Sequence, residues 1–518
     1  MVNAQLFASL RGAFVPNANA TNEAGGLAYA RSPEAALALY AATGCLNGTY
    51  YASAGEQLDQ ALALAAQCAP AFVARTAVYA RKIAYMKDMP ALLLATLSTR
   101  DGELLAKAFP LVIDNARMLR NFVQIVRSGV VGRKSLGSLP KRLVRQWLEN
   151  ASVDAIVQAA IGNQPSLADV IRMAHPRPAD AARRALFAWV VDKPYDVAAL
   201  PTKLQAFDAF KRVPVGELPD LPFQYFTSLR LSAEQWRVLA HNASWQTLRQ
   251  NLNTFARNGV FADGATTKSL AATLRDPAKI AKARVFPYQL LMAHTASAGG
   301  EVPTAIREAL QDAMEVATRQ VPKLDGRVVV AVDVSGSMSS PVTGHRRGAS
   351  TAVRCVDVAA LVAACVQRSN PEARVLPFDT DVRALQLNPR DSVMTQARQL
   401  ASLCGGGTSI SSPLVRLNRE GANVDLLVIV SDNESWRDTR ASGATGTMRQ
   451  WAQIKARCPQ AKLVCIDLQP VATSQAIERD DVIHVGGFSD AVFDLLAVFA
   501  AQGGNSPRWV DKIGSIVL

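Results

Sequence analysis

Histidine is scarce in this chain and cysteine is scattered. The five histidines, at 175, 241, 294, 345 and 484, sit in unrelated local contexts, so no Ser/His/Asp arrangement is suggested. The seven cysteines, at 45, 68, 355, 365, 404, 458 and 465, are odd in number and never spaced Cys-x-x-Cys. That excludes the common zinc frameworks, argues against a disulfide scaffold, and points to a reducing cytoplasm. Phosphate-binding fingerprints are missing, because Gly405-Gly406-Gly407 is not followed by the lysine of a P-loop. Long apolar runs are missing too. The longest candidate, Cys355–Val366, carries Asp357 and falls well short of the ~20 residues that span a bilayer. Met1-Val-Asn-Ala-Gln has neither the basic start nor the apolar core of a secretory signal. Aromatic residues make up only 6%, so stacking of bases on exposed rings is not expected to dominate any nucleic-acid contact.

What is present is a large, apolar and basic chain. Its 518 residues are 49% hydrophobic, enough for two or three domains with substantial cores. The net charge is +13, and residues 1–325 carry +11 of it against +2 for residues 326–518. A basic protein without membrane features most often meets a polyanion, and the excess places that contact in the first part.

The two parts differ in texture. Up to about residue 323, Ala, Leu and Arg recur at helical spacing, in 33–44, 54–69, 71–86, 89–107, 139–150, 154–160, 179–190, 232–257 and 301–318. Pro and Gly punctuate these stretches, and no exact repeat period emerges, so the expectation is a degenerate α-solenoid of HEAT-like helix pairs. From 324 to 518, strands at 327–334, 374–378, 424–431 and 461–468 alternate with helices at 351–368, 391–404, 445–457 and 489–501. Such alternation predicts a doubly wound α/β domain on a parallel sheet. The fold class is therefore α + α/β.

Inside the second part, the apolar run from Val328 stops in Asp333-Val-Ser335-Gly-Ser337. One carboxylate and two hydroxyls beyond a buried strand suit a hard cation such as Mg²⁺, although a Ser/Gly turn capped by Asp333 would look the same. Thr408 follows the glycine loop 405–407, and Asp432 follows the strand 424–431. In this order the five residues Asp333, Ser335, Ser337, Thr408 and Asp432 resemble the metal-ion-dependent adhesion site of von Willebrand factor A domains. In that family, the first loop binds the metal directly, while the Thr and last Asp often act through water.

In the first part, eight basic residues and no acid lie between Arg117 and Arg145: Arg117, Arg120, Arg127, Arg133, Lys134, Lys141, Arg142 and Arg145. Several flank the loop Gly132–Gly137, and the amides of the helix that follows could help to hold phosphate. A smaller basic group is Arg172, His175 and Arg177, and a third runs through Arg249, Arg257, Lys268, Arg275, Lys279, Lys282 and Arg284, which reads as a solvated helix face.

A basic helical-repeat part followed by such an A domain resembles the Ro family of ribonucleoproteins, the TROVE-domain proteins. The resemblance rests on Asn22-Glu-Ala-Gly25-Gly26-Leu-Ala-Tyr29, Gly48-Thr-Tyr50-Tyr51, Gly137-Ser-Leu-Pro-Lys141-Arg142 with Trp147, and Ile171-Arg-Met-Ala-His175-Pro-Arg177-Pro. It continues through Leu248-Arg249-Gln-Asn251-Leu252, Lys282-Ala-Arg284-Val-Phe-Pro287-Tyr and the three A-domain motifs. It implies helical repeats closed into a ring, with the A domain joining the ends. It further implies binding of small noncoding Y-like RNA on the outer surface and of the 3′ ends of misfolded RNA in the central hole. A 3′ exonuclease such as polynucleotide phosphorylase is an implied partner, and the protein is expected to act as a monomer. Lys141, Arg142 and His175 stand at matching motif positions; Arg133, Lys134, Arg145, Arg172 and Arg177 are assigned to RNA by charge and proximity, and Arg117 and Arg120 by charge. Pro140 departs from the family pattern and places a helix start at or near it. The competing reading is a protein-binding adaptor whose metal takes an acidic side chain from a partner. A phosphoryl-transfer enzyme is weaker, since two carboxylates come without a base or second metal.

Overall fold

The computed structural model describes residues 15–518 except 45, 162–164, 179, 284, 286, 320, 344–352, 436–442, 488–490 and 502–507. Met1–Gln5, Cys45, Ala179, Arg284, Phe286 and His345 lie outside the described residues.

Helices build the first part: α1 (Pro33–Thr43), α2 (Ala54–Gln67), α3 (Pro70–Lys82), α4 (Asp88–Arg100), α5 (Gly102–Val112), α6 (Ala116–Ser128), α7 (Ser138–Asn150), α8 (Val153–Ala159), α9 (Leu167–Ala174) and α10 (Ala181–Val190). They continue as α11 (Thr202–Arg212), α12 (Ala233–Asn242), α13 (Trp245–Gln250), α14 (Leu252–Arg257), α15 (Gly264–Arg275), α16 (Pro277–Ala283), α17 (Pro287–Ser297) and α18 (Thr304–Thr318). Two stretches that periodicity reads as single helices are broken by capping side chains. The 89–107 stretch ends at Asp101, whose carboxylate accepts from Leu104 N at 2.9 Å and starts α5. The 232–257 stretch breaks at Ser244, which caps Thr247 N at 3.1 Å, and again at Asn251. α7 begins at Ser138, with Pro140 in its first turn, where a missing N–H costs no helical bond.

The helices stack in two offset rows: α3 packs on α5, α5 on α7 and α7 on α9, while α4 packs on α6 and α6 on α8. Both ends of the array meet the second part. α1 and α3 pack on α24 (Trp509–Gly514), and α1 also on β8 (Val482–Gly486). At the other end, α17 and α18 pack on α19 (Cys355–Ser369), and α18 also on α20 (Val393–Ala401). The array is thus joined to itself through the second part, as the resemblance implies for a ring.

The second part is a parallel sheet of β3 (Val328–Asp333), β4 (Arg374–Phe378), β5 (Leu426–Ser431), β6 (Lys462–Asp467) and β8, in the order β4-β3-β5-β6-β8. Alternate residues divide between its faces. Val328, Val330 and Val332 join the core under α19 and α20, whereas Val329 and Ala331 join that under α21 (Ser412–Arg419) and α22 (Gly446–Arg457). With α23 (Ala491–Ala501) also present, the domain is α/β/α and doubly wound, as the alternation predicts. β8 is a fifth strand beyond the four that apolar runs indicate; His484 and two preceding aspartates hide it.

A larger difference concerns residues 15–31, which the sequence assigns to the helical part. β1 (Ala20–Thr21) and β2 (Leu27–Ala30) form an antiparallel pair, and β2 pairs with β7 (Thr473–Ser474) of the second part. Tyr29 is buried in the A-like core with Met448, Trp451 and Ala476, and its hydroxyl donates to Pro16 O at 2.7 Å. This edge pairing spans more than four hundred residues of chain and leaves no local periodicity to read.

Candidate metal centre and basic surface

β4 lies on one side of β3 and β5 on the other, so β3 and β5 flank the switch point where such sheets open a crevice at their carboxyl ends. Asp333 ends β3, and Ser431 ends β5. The buried Asp333 accepts from Ser335 N through Oδ1 at 2.9 Å and from Ser431 Oγ through Oδ2 at 2.6 Å. Ser335 Oγ and Ser337 Oγ are 3.3 Å apart. The glycine loop is stitched to the first loop by Gly405 N to Val334 O at 2.7 Å and Gly336 N to Gly406 O at 3.0 Å. Gly406 has φ +79°, and a Cβ there would sit 2.6 Å from Asp379 Oδ2, so only glycine fits. Hydrogen bonds thus link three of the five sequence-derived residues, and Asp432 is buried beside them, where Asp333 acts on its charge. Thr408 is buried at the same end of the sheet without a hydrogen bond to the other four among the described residues.

Burial, followed by the charge of Asp379, pushes the Asp333 carboxyl up to about 6; burial, followed by Asp333, pushes Asp432 up to about 7. Glu434 is fully buried and pushed up to about 9, by burial first and then by Asp432 and Glu23. Its Oε2 accepts from Ala24 N at 3.1 Å, while Oε1 is buried with no partner among the described residues. No group of three His, Cys, Asp or Glu side chains that could hold a metal occurs among the described residues. The five-residue set instead combines three hydroxyls with two carboxylates. A buried hard-oxygen set with two mutually repelling carboxylates, and no lysine or arginine bound to either among the described residues, still fits a small divalent cation.

Asp379, Ser431 and Glu434 were missed in the sequence. Asp379 follows a strand end just as Asp333 does, and the same rule could have found it. Two contacts were also missed. Asn22 donates to Ser435 O at 2.8 Å and accepts from Gly26 N at 2.6 Å, clasping the third loop; a Cβ on Gly26 would lie 2.1 Å from Ser435 O. Asn47 of the helical side donates through Nδ2 to Thr343 O at 3.0 Å, beyond the turn that carries Ser337.

The arginines of the helical part divide into two groups. One group ends neighbouring helices: Arg100 donates to Cys68 O at 2.8 Å, Arg145 to Ala174 O at 3.1 and 3.2 Å, Arg172 to Val191 O at 3.0 Å, and Arg183 to Leu148 O and Ala151 O at 2.9 and 2.7 Å. Arg133 reaches Ser98 O and Leu136 O in the same way. Each guanidinium meets the carbonyl end of a helix, where a cation is favourable. Arg172 also faces Asp169 at 3.6 Å. Arg120 is half-buried, and its Nε has no partner among the described residues. The other group points outward unpaired: Arg117, Arg127, Lys134 and Arg142 are exposed, Lys141 is half-exposed, and no ion pair engages them among the described residues.

Lys141 and Arg142 lie in the first turns of α7, whose N-cap Gly137 (φ +70°) supplies no side-chain cap. α7 packs on α9, and exposed His175 ends α9 in the left-handed conformation at φ +51°. Arg177 follows, its N–H donating to Glu149 at 2.7 Å. Lys134, Lys141, Arg142, His175 and Arg177 therefore share the α7–α9 surface. Arg249, expected on a solvated face, is instead a core residue. It is bound to Gln246 and to Gln289 O at 2.8 Å, and burial lowers its guanidinium to about 10.

The fold also makes a contact the sequence gives no hint of. His484 Nε2 lies 3.1 Å from Ser474 Oγ, and His484 Nδ1 lies 3.4 Å from Asp467 Oδ2. This is not a nucleophile. Ser474 is buried and donates to Ala476 O at 2.6 Å, and His484 Nε2 faces the same carbonyl at 2.8 Å, so that nitrogen carries a proton and cannot accept one from Ser474.

Comparison with known proteins agrees with these features. Residues 327–500 match a family model described as the Ro60 vWA domain. The RNA-binding protein RO60 of Deinococcus radiodurans is 28% identical over 519 residues, covering 92% of this chain and 94% of that one. The crystal structure of the Deinococcus radiodurans RO (RSR) protein shares the fold with a TM-score of 0.61 at 23% identity, covering 90% of this chain and 99% of that chain. Helix-rich in its first part and ending in an A domain that matches the Ro60 type, the chain is similar over most of its length to the bacterial Ro proteins.

Proposed function

We propose that the chain is an RNA-binding scaffold, not an enzyme, and that phosphates are held on the α7–α9 surface. The observation that carries this reading is the set Lys134, Lys141 and Arg142, unpaired beside the uncapped start of α7, where Ser138 and Leu139 present free amides. The RNA-binding name of the Deinococcus relative supports it. In this reading Y-like RNA stems lie on the outer basic surface, with His175, Arg177, Arg117 and Arg127 extending the track. Arg133, Arg145 and Arg172 act mainly by fixing the helices beneath it. Single-stranded 3′ ends of misfolded RNA enter the central space of the ring, and an exonuclease such as polynucleotide phosphorylase receives them. The free thiols Cys68, Cys355, Cys365, Cys404, Cys458 and Cys465 fit a cytoplasmic monomer. Titration of a structured small RNA and an unstructured strand of equal length, at several salt concentrations, tests it: both should bind, with affinities that fall steeply as salt rises. Salt-independent or absent binding would remove the reading.

Asp333, Ser335, Ser337, Thr408 and Asp432 would hold Mg²⁺, which supplies positive charge to a buried anionic crevice. A consequence follows for stability. The folded-state pKa values of Asp333 (about 6), Asp432 (about 7) and Glu434 (about 9) lie above their ordinary values. Their contribution to stability is therefore full below about pH 4 and is lost as pH rises through those folded values. In EDTA the A-like domain should lose stability from pH 5 to pH 8. Mg²⁺ at a hundredfold excess over Kd should restore about 2.7 kcal/mol, or roughly 5–10 °C in Tm. The rise should be larger at the higher pH and absent in Asp333→Ala. Thermal scans with and without Mg²⁺ measure this directly.

A further inference from the structure

We propose that a cavity at the joint between the helical array and the A domain binds a small phosphate monoester, held by Arg398 with the hydroxyls of Thr295 and Ser402. The site shares no residue with the metal set or with the α7–α9 surface, so it stands apart from both readings.

The cavity measures about 330 Å³ and lies between α17 and α20, beside the start of α19. Leu291, Val353 and Ala397 give it an apolar side. Thr295, Arg398 and Ser402 also line it, and all three are exposed. An apolar hollow between domains with a few convergent polar groups is the usual setting of a small-molecule site, and such pockets start at about 300 Å³.

The charge around the cavity points to an anion. Two of its lining groups cancel, because Arg354 Nε and Nη2 donate to Asp357 Oδ2 and Oδ1 at 3.1 and 2.7 Å. Arg398 has no carboxylate partner among the described residues. Its Nη2 meets His294 Nδ1 at 2.8 Å and Met394 Sδ at 3.6 Å, while Nε and Nη1 stay free there. A guanidinium only donates, so His294 Nδ1 accepts and the ring proton sits on Nε2. Burial, then the charges of Arg398 and Arg307, lowers His294 to about 4, so the ring is neutral beside two cations. Arg307 in turn has a buried Nε without a partner among the described residues. A phosphate offers several oxygens to the open side of the Arg398 fork and to the two hydroxyls. The organic group of a monoester would cover the apolar side, which a bare ion leaves empty. Thr295 belongs to the helical array, and Arg398 and Ser402 belong to the A domain. A ligand held by all three therefore ties the end of the array to the sheet domain.

Calorimetric titration of the full chain with adenosine monophosphate and ribose 5-phosphate, against adenosine and inorganic phosphate, tests this. At least one monoester should bind, inorganic phosphate about tenfold more weakly, and adenosine not detectably. Arg398→Gln should melt as the wild type does without ligand and lose about tenfold or more in monoester affinity. Ser402→Ala should lose a few-fold. In the wild type the bound monoester should slow hydrogen exchange in α17 and α20 together, and in Arg398→Gln it should not. Absence of monoester binding, or an affinity unchanged in Arg398→Gln, would overturn the site. Inorganic phosphate binding as tightly as either monoester would overturn the small-molecule assignment. An Arg398-dependent 5′-phosphorylated oligonucleotide complex, with neither monoester bound, would overturn it as well and make an RNA end the ligand.

Discussion

Lys141→Glu/Arg142→Glu is expected to weaken RNA binding by about ten- to a hundredfold at moderate salt and to flatten its salt dependence. Each phosphate contact contributes a slope of roughly 0.7 for single strands and 0.9 for duplex in log K against log salt. Losing two contacts should therefore lower the slope by about 1.4–1.8. The pair suits this test because neither side chain has a protein partner among the described residues, so reversal adds repulsion toward phosphate without breaking a structural bond. Arg145→Glu is the informative contrast. It lies one turn further along α7 but ties down the last carbonyl of α9. Its loss should therefore lower stability as well as affinity. A Lys141/Arg142 variant with unchanged affinity and slope would move the RNA site elsewhere.

Arg31→Met is expected to destabilise the A domain by about 3–5 kcal/mol, the range for stripping one partner from a buried ion pair. Arg31 and Asp467 meet at 2.8 Å with side-chain exposures of 5% and 2%. Arg31 Nε also donates to Thr473 O at 3.0 Å, so one side chain fastens β2 to both β6 and the β7 edge. Without it, Asp467 keeps only His484 as a side-chain partner among the described residues, and residues 15–30 lose one of their anchors. Denaturant unfolding should show the loss, and limited proteolysis should cut near residues 15–30 in the variant before the wild type. Adding Asp467→Asn should recover part of the stability, because the orphaned charge causes much of the cost. An Arg31→Met protein as stable and protease-resistant as the wild type would mean that the N-terminal strands are an ornament on the A domain.

Four of the five strands, and the oxygen-rich loops proposed to hold metal, could be read because their causes are local. Apolar β-branched runs make buried parallel strands, and ligands gather where such strands end, so Asp333 and Asp432 stood out. What escaped depends on chain brought from far away. Tyr29 fills the A-domain core, and Asn22 and Gly26 clasp Ser435; their stretch carries a family motif but no periodicity that points to these contacts. The basic run was readable as charge but not as role. A guanidinium written in the sequence looks the same whether it faces solvent, as Arg142 does, or ends a neighbouring helix, as Arg145 and Arg172 do. Arg249 shows the extreme case, a motif arginine spent inside the core on amide oxygens. The broken helices at Asp101 and Ser244 belong to a third class, where one capping side chain overrides a continuous apolar period.

The central claim is that RNA lies on the α7–α9 surface. Ultraviolet crosslinking of the native complex, with crosslinked peptides identified by mass spectrometry and the attached RNA sequenced, tests it most directly. The account expects small structured RNAs joined to peptides that span residues 128–145 and 171–178. Abundant crosslinks confined to the A domain, or a protein that carries no RNA from its host, would contradict it.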